Sequence, residues 1–539
     1  MTNTFTPGTM VEYTLEKMPY VFMPYESRLA RLEAEKVLGS QPSMVKSRRL
    51  VFRKHKYVPH IVDRLTYFRS VTIRTNTFQH THLTRQALIE SLDTLAKRRK
   101  KDVCLDSETV PCKWQARRYF SHGIHEYIGK YHPQIVKFIF NLLDLGSGNA
   151  VIDPFCGCGT TLVEAYVNGY RFLGVDANPL AVWIARTKIE ALCSDIGILE
   201  SEYASLVARA RQLGKSDIIP DANFISEKNL RYLRSWFTES TLSKLLTLSN
   251  EISKVEHECA RDLFNVSLSN ILREVSLQEP GQLRIRRRKC PPDLDVFELF
   301  FSNLRRSLDS IKVFYELNLQ GRVRSDAERD IIAGDSRHLV DLTTRRDFDA
   351  AVFSPPYATA LPYIDTDRLS LIYFGLTHPS SLRTMGRSMI GDREIAGSER
   401  QRIDNIIEDG LVCIPDQAKR IIRMIYAKNK KANVGFRRKN TAALLHKYLI
   451  DMREALASIH EVLKPSGACA FVVGNNTTIA GGTKVIIPTA KLLALIGRDI
   501  GFNHVKTLTL NTFPRTNVHC KNSVQEEYLV VLSKWHQGP

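Results

Sequence analysis

Two short stretches of this chain carry residue types that could do chemistry. The first is Ser354-Pro-Pro-Tyr357, which directly follows the apolar run at 349–353. Pro355 and Pro356 fix φ and remove two backbone donors, so their carbonyls stay free to accept hydrogen bonds. A hydroxyl, a free carbonyl and an aromatic face together suit a planar ring bearing an amino group. Ser354 and the Pro355 carbonyl can hold the two N–H groups, and Tyr357 can cover the ring, a contact worth roughly 1–3 kcal/mol per stacked base. Holding both N–H groups biases the nitrogen toward tetrahedral geometry and frees a lone pair otherwise delocalised into the ring. The second stretch is Asp153-Pro-Phe-Cys-Gly-Cys-Gly-Thr-Thr161. Gly157 and Gly159 let backbone N–H groups approach a ligand with no Cβ in the way. Asp176 follows roughly 20 residues later, where an acid usually binds ribose hydroxyls. In isolation a Pro-Pro turn or a glycine turn says little; the two together say more.

The elements that must position these residues can be read from apolar runs and helical spacing. A strand at 150–152 enters the glycine loop, and a helix at 160–169 leaves it with Leu162, Ala165 and Tyr166 on one face. A second strand at 170–176 ends in Asp176, and Asn178-Pro179 opens a helix to 192. Strand, glycine loop and helix form the first unit of a doubly wound α/β sheet, whose ligands sit outside the carboxyl ends of the strands. The helix N-terminus adds partial positive charge there. The loop is neither G-x-G-x-x-G nor a P-loop, since no Lys follows the glycines. Further strands are expected at 330–335, 349–353, 468–473, 502–510 and 526–532, with helices at 444–463 and 488–500.

The Asp153–Thr161 loop resembles the S-adenosylmethionine loop of amino-group methyltransferases. That resemblance implies that Asp153, Pro154, Phe155, Gly157, Gly159, Thr160 and Thr161 hold the methionine part of the cofactor, and that Asp176, Ala177 and Asn178 hold its ribose. Gly129-Lys-Tyr-His-Pro-Gln134 resembles the segment that closes over the methionine end, which places Lys130–Pro133, with Lys130 and His132 as the named contacts, near the cofactor. Asp335 and Ser336 fall where the family contacts adenine; the plainer role for Asp335 is a helix cap. In this order, Ser-Pro-Pro-Tyr resembles the DNA amino-methyltransferases, in which that tetrapeptide is typical of cytosine-N4 enzymes and Asp-Pro-Pro-Tyr of adenine-N6 enzymes. The resemblance implies a class I methyltransferase fold: a doubly wound, seven-stranded α/β sheet with an antiparallel last hairpin. It implies transfer from S-adenosylmethionine to the N4 amine of a cytosine in double-stranded DNA, with Ser354, Pro355, Pro356 and Tyr357 at the reacting base and no metal. The base must be flipped out of the duplex, at a cost of a few kcal/mol. A cognate restriction endonuclease or defence-system partner is the expected associate. Adenine-N6 transfer, RNA base-amine transfer and a non-catalytic DNA-binding protein of the same fold are the alternatives.

The chain has 539 residues, 43% of them hydrophobic, and a net charge of +19, a balance that suits a polyanionic partner. Its ten cysteines form no C-x-x-C pair, and Cys156 and Cys158 read as small neutral fillers within the loop. Neither a secretory signal nor an apolar run of membrane-spanning length is apparent, so a cytoplasmic protein is expected. Residues 1–113 form a basic N-terminal extension, with a helix near 25–38. Its clusters Lys46-Ser-Arg-Arg49, Arg53-Lys-His-Lys56 and Lys97-Arg-Arg-Lys-Lys101 alternate with Tyr57, Tyr67, Phe68 and Phe78, which suits either DNA contact or a small core under a solvated face. The catalytic unit is divided into 114–194, 329–377 and 441–539. A helical insertion at 195–328, carrying Arg284-Ile-Arg-Arg-Arg-Lys289, and a second basic insertion at 378–440 are candidates for DNA contact, and target recognition is expected in one of them or in the N-terminal part. Tyr363, Asp365 and Arg368 are candidates for the base pocket, against a plainer reading as a cap and surface charges.

Overall fold

The computed structural model describes residues 10–18, 22–54, 61–74, 76–79, 118–213, 225–279, 285–316, 328–358, 363–432, 434–511 and 526–534. The N-terminal extension is a five-stranded antiparallel sheet built from β1 (Val11–Lys17), β2 (Met44–Val45), β3 (Arg49–Lys54), β4 (Phe68–Ile73) and β5 (Asn76–Gln79), in the order β2-β3-β1-β4-β5. The helix Pro24–Leu38 accompanies it. Val11, Tyr13 and Leu15 alternate inward along β1, the period of a half-buried strand. Tyr67 and Phe68 are buried in this core, whereas Phe78 is exposed. Arg49 and Arg69 face Glu16, and Arg53 pairs with Glu12 at 3.0 Å, so part of the first basic cluster is balanced within the sheet. Tyr57 and the cluster at 97–101 lie outside the described residues.

Buried Glu33 joins this sheet to the catalytic unit. It accepts hydrogen bonds from Thr66 N at 2.9 Å and Asn141 Nδ2 at 2.6 Å. Burial pushes its carboxyl up, while those donors and the Lys137 charge oppose the shift.

The central sheet comprises β6 (Ala150–Asp153), β7 (Arg171–Asp176), β8 (Arg329–Ala333), β9 (Phe348–Phe353) and β10 (Leu463–Gly474). After the small hairpin β11 (Asn476–Ala480) and β12 (Thr483–Ile487), it closes with β13 (Asn503–Asn511) and β14 (Glu526–Ser533). Its order is β13-β14-β10-β9-β6-β7-β8; β8 to β10 run parallel, and β14 is antiparallel to both of its neighbours. This is the class I methyltransferase sheet, with the expected antiparallel last hairpin.

Alternate residues supply the two faces. Val151, Phe172, Ala350, Val352, Ala470 and Val472 share one core with the N-terminal sheet and the helices of the first insertion. Ile152, Leu173, Ala351, Phe353 and Phe471 share the other with the helices Thr441–Val462 and Thr489–Ile500 and the second insertion. The first insertion is helical, as its amphipathic pattern predicts: Ile196–Leu213, Glu227–Arg234, Glu239–Ser253, Glu258–Val275 and Val296–Glu316. Among the described residues, no helix is long and apolar enough to cross a membrane.

Candidate active site

β6 and β9 are parallel neighbours in register, Val151 beside Ala350 and Ile152 beside Ala351. Parallel strands deliver their following loops to the same edge, so the Asp153 loop and the Ser354 turn share one crevice. Direct contacts join them. Thr161 Oγ1 donates to the Val352 carbonyl at 3.2 Å, and the Phe155 and Phe353 rings lie 5.5 Å apart.

On the glycine-loop side, Asp153 is buried at the end of β6 and accepts from Phe155 N at 3.0 Å. Burial pushes its carboxyl up to about 7; hydrogen bonds from Thr161 and Phe155 oppose this, and the Asp176 charge adds to it. Asp176, at the end of β7, accepts from Gly157 N and Asn178 N, each at 2.8 Å. Its carboxyl is also raised by burial, against those two donors. Gly157 has φ +49, and a Cβ there would meet the Tyr127 ring at 3.2 Å. Gly159, with φ +80, starts the helix Thr160–Val167, and its Cβ would meet that of Ala185 at 3.0 Å. Both positions therefore favour glycine, since a side chain would be strained by the positive φ and crowd its neighbour. Cys156 and Cys158 are buried, and burial pushes the Cys156 thiol well up, followed by the Asp176 and Asp153 charges.

Asn178 caps the helix Pro179–Cys193, and its Nδ2 donates to Asp367 at 2.7 Å. Burial pushes Asp367 up to about 7. Buried Asp153 and Asp367 and half-buried Asp176 thus form an acidic lining, and none of them takes part in an ion pair among the described residues. Such a lining favours a ligand that carries positive charge.

On the tetrapeptide side, Ser354 Oγ donates to the Val472 carbonyl of β10 at 2.9 Å. Its proton is committed to the sheet, so its remaining lone pairs act as acceptors. Tyr448 Oη donates to the Pro356 carbonyl at 3.0 Å, and Tyr357 N donates to Tyr363 Oη at 3.2 Å. No described residue donates to the Pro355 carbonyl. Tyr357 Oη donates to Glu527 Oε1 of β14 at 2.7 Å. Burial, then the Glu527 charge, pushes the Tyr357 phenol well up, so it stays a neutral ring.

The chain is similar to type II methyltransferases. It is 22% identical to the type II methyltransferase M.MvaI of Kocuria varians over 426 residues, covering 75% of this chain and 86% of that one. It is 32% identical to M.MjaII of Methanocaldococcus jannaschii over 127 residues, a match that spans 23% of each chain. Among solved structures, TrmN from Thermus thermophilus aligns over 97% of this chain at 10% identity, with a TM-score of 0.32. No family model matches the sequence.

The structure brings Asp153, Phe155, Gly157, Thr161, Asp176, Asn178 and the tetrapeptide to one sheet edge, with Ala177 exposed beside them. Asp335 caps the short turn Ser336–His338 through Arg337 N at 3.0 Å and pairs with the Arg337 guanidinium, while Ser336 is buried. Burial would raise Asp335, but the Arg337 hydrogen bonds hold it below the usual range.

In the 129–134 segment, Lys130 Nζ donates to the His122 carbonyl at 2.7 Å, and His132 Nδ1 caps the helix Pro133–Leu142. Within this segment Tyr131 is hydrogen-bonded to Thr161 of the glycine loop, and Tyr127, just before it, lies over Gly157. Tyr131 falls within the 130–133 stretch that the sequence places near the cofactor, whereas Tyr127, just upstream, was not singled out.

Arg368 does not line the crevice. It is 1% exposed, its guanidinium 3.9 Å from the Trp236 ring centroid, with a 2.9 Å bond to Gln278 and another to Tyr232. All three partners belong to the first insertion. Asp367, one residue earlier on the same helix, and Glu527, far along the chain, are members of the site that sequence reasoning missed.

Proposed function

We propose that this chain is an S-adenosylmethionine-dependent DNA methyltransferase that modifies the N4 amine of cytosine. The observation that carries the reading is the shared edge. The glycine turn and the Ser354 turn leave adjacent parallel strands, with Thr161 bonded across to Val352. The residues present fit the cofactor. A Cβ at Gly157 or Gly159 would crowd Tyr127 or Ala185 at a positive φ, and the acidic groups Asp153, Asp176 and Asp367 complement a ligand with an ammonium and a sulfonium. Asp176 would hold the ribose, and the loop from Asp153 to Thr161 the methionine part. When bound, the cofactor supplies an electrophilic methyl group.

The chain's own residues prepare the nucleophile. Ser354 Oγ, its proton held by Val472, and the Pro355 carbonyl accept the two N–H groups of the base amine. That interaction strengthens as the nitrogen gains positive charge, which is how preorganised groups lower a barrier. Tyr357, fixed by Glu527 and through its backbone by Tyr363, offers its face to the flipped base. Alignment in the closed crevice supplies much of the remaining rate. Ser354, rather than Asp, favours cytosine over adenine. The two insertions and the N-terminal sheet are the proposed DNA-holding parts, and exposed Arg286, Arg287 and Lys289 belong to the first of these. The relatives named as type II methyltransferases support this reading.

The test is methyl transfer from tritiated cofactor to duplex DNA, with tRNA as the competing substrate and mass spectrometry of the released nucleosides. N4-methylcytosine is the expected product. N6-methyladenine would refute the base assignment, and label in RNA alone would refute the DNA reading.

A further inference from the structure

The second insertion carries a feature that neither the core nor the catalytic crevice uses. Phe436 is 67% exposed, the most exposed described phenylalanine, and Arg437, Arg438 and Lys439 follow it, all exposed. Water contact forfeits about 1.5–3 kcal/mol of burial for such a ring. Its backbone is nonetheless held. Arg438 N donates to the Gly435 carbonyl at 2.9 Å, and Asn440 N to the Phe436 carbonyl at 3.2 Å.

Asn429, 4% exposed, is the clasp. Its Nδ2 donates to the Arg438 carbonyl at 2.7 Å, and its Oδ1 accepts from Gly481 N at 3.0 Å. Gly481 forms the turn between β11 and β12, so the Phe436 segment, the basic end of the helix Asp416–Lys431 and the small hairpin are joined at one point. Exposed Lys431 and Lys484 and the 62% exposed Ile486 lie on these same elements.

This platform adjoins the crevice. The helix Thr441–Val462 begins just after Lys439 and carries Tyr448, which bonds to the Pro356 carbonyl; about 12 Å of helix separates Asn440 from Tyr448. The Arg437 charge reaches Asp365, two residues beyond Tyr363. On the hairpin side, Asn476 Nδ2 donates to the Ala358 carbonyl, next to Tyr357.

The geometry points to Phe436 as the wedge that opens the duplex beside the target base, with Arg437, Arg438 and Lys439 gripping the flanking phosphates. This rests on the DNA methylation reading and assigns the opening step within it. An apolar ring inserted at a base step unstacks it for a few kcal/mol, a cost that cation–phosphate contacts offset. A rigid backbone behind the ring keeps the cost of ordering it low.

The experiment uses the full chain and a duplex carrying a site mapped on genomic DNA labelled by the wild type. A second duplex has an abasic position opposite the target base, so that opening is already accomplished. Phe436→Ala is expected to lower methylation of the matched duplex by about tenfold or more, and to recover to within about threefold of wild type on the abasic duplex. Phe436→Trp should retain activity on both. Equal activity of Phe436→Ala and wild type on the matched duplex would overturn the proposal. So would an equal loss on both duplexes, which would indicate DNA holding without opening. A wild-type chain that labels no DNA would instead refute the methylation reading itself, and this inference with it.

Discussion

Replacing Ser354 with Ala tests the catalytic geometry most directly. In the folded state the hydroxyl donates to the Val472 carbonyl at 2.9 Å and also lies beside the Tyr357 phenol. Its loss should cost about 1 kcal/mol of stability, since one neutral hydrogen bond disappears from a sheet that keeps its ladder. The reaction should suffer far more. The Oγ lone pairs face an amine that gains positive charge as the methyl arrives, and loss of one such preorganised group typically costs about 3 kcal/mol, or about 100-fold in kcat. Cofactor affinity should stay within about twofold, because Ser354 bonds to no residue of the glycine loop and so contributes only at the reacting nitrogen. The assays are single-turnover transfer of tritiated methyl to duplex DNA, calorimetry with the cofactor, and a denaturant midpoint to confirm folding. A Ser354→Ala protein whose single-turnover rate lies within about threefold of wild type would refute the acceptor role.

Three further perturbations probe other parts of the argument. Asp176→Ala removes the acceptor for Gly157 N and Asn178 N, so the cofactor Kd should rise by roughly tenfold or more; an unchanged Kd in calorimetry would count against the ribose assignment. Arg368→Met keeps apolar volume but strands Gln278 and Tyr232, and should lower unfolding stability by about 1–3 kcal/mol, read as a shift in urea midpoint. Glu164, ordinarily near 4.5, is pushed up to about 7 by burial beside Tyr119 and His122. A raised acid stabilises the fold fully below its unfolded value and loses that contribution as pH climbs through the folded one. The melting temperature of wild type should therefore fall more steeply than that of Glu164→Gln between about pH 5 and pH 8, and parallel curves would show that Glu164 does not titrate there.

The centre of the sheet was legible because its strands β6, β7 and β9 are short apolar runs that lead directly into the residues with chemical character. Asp153, Asp176 and Phe353 close β6, β7 and β9 where the sequence places them. The N-terminal sheet was not read, although β1 alternates cleanly through Val11, Tyr13 and Leu15, because basic and aromatic residues drew attention to partners outside the fold. Tyr67 and Phe68 turned out to be core. Arg368 misled for a different reason. A charged residue shortly after a catalytic turn looks like a pocket group, and nothing local reveals that Trp236 and Gln278, more than 85 residues earlier, enclose it. Glu527 is the same problem in reverse: its meeting with Tyr357 spans 170 positions and arises only because β14 lies beside β10.

The helix Tyr363–Tyr373 gives the molecule an unusual kind of indivisibility. Tyr363 braces the tetrapeptide, Asp367 braces Asn178 beside the cofactor acid, and Arg368 is gripped by the inserted helices. Transplanting the 195–328 module from a relative would therefore fail as a simple cassette exchange. The donor would have to bring a socket matched to this arginine, or the recipient would need its own helix recut. Any lineage that varies this module must change both pieces in step.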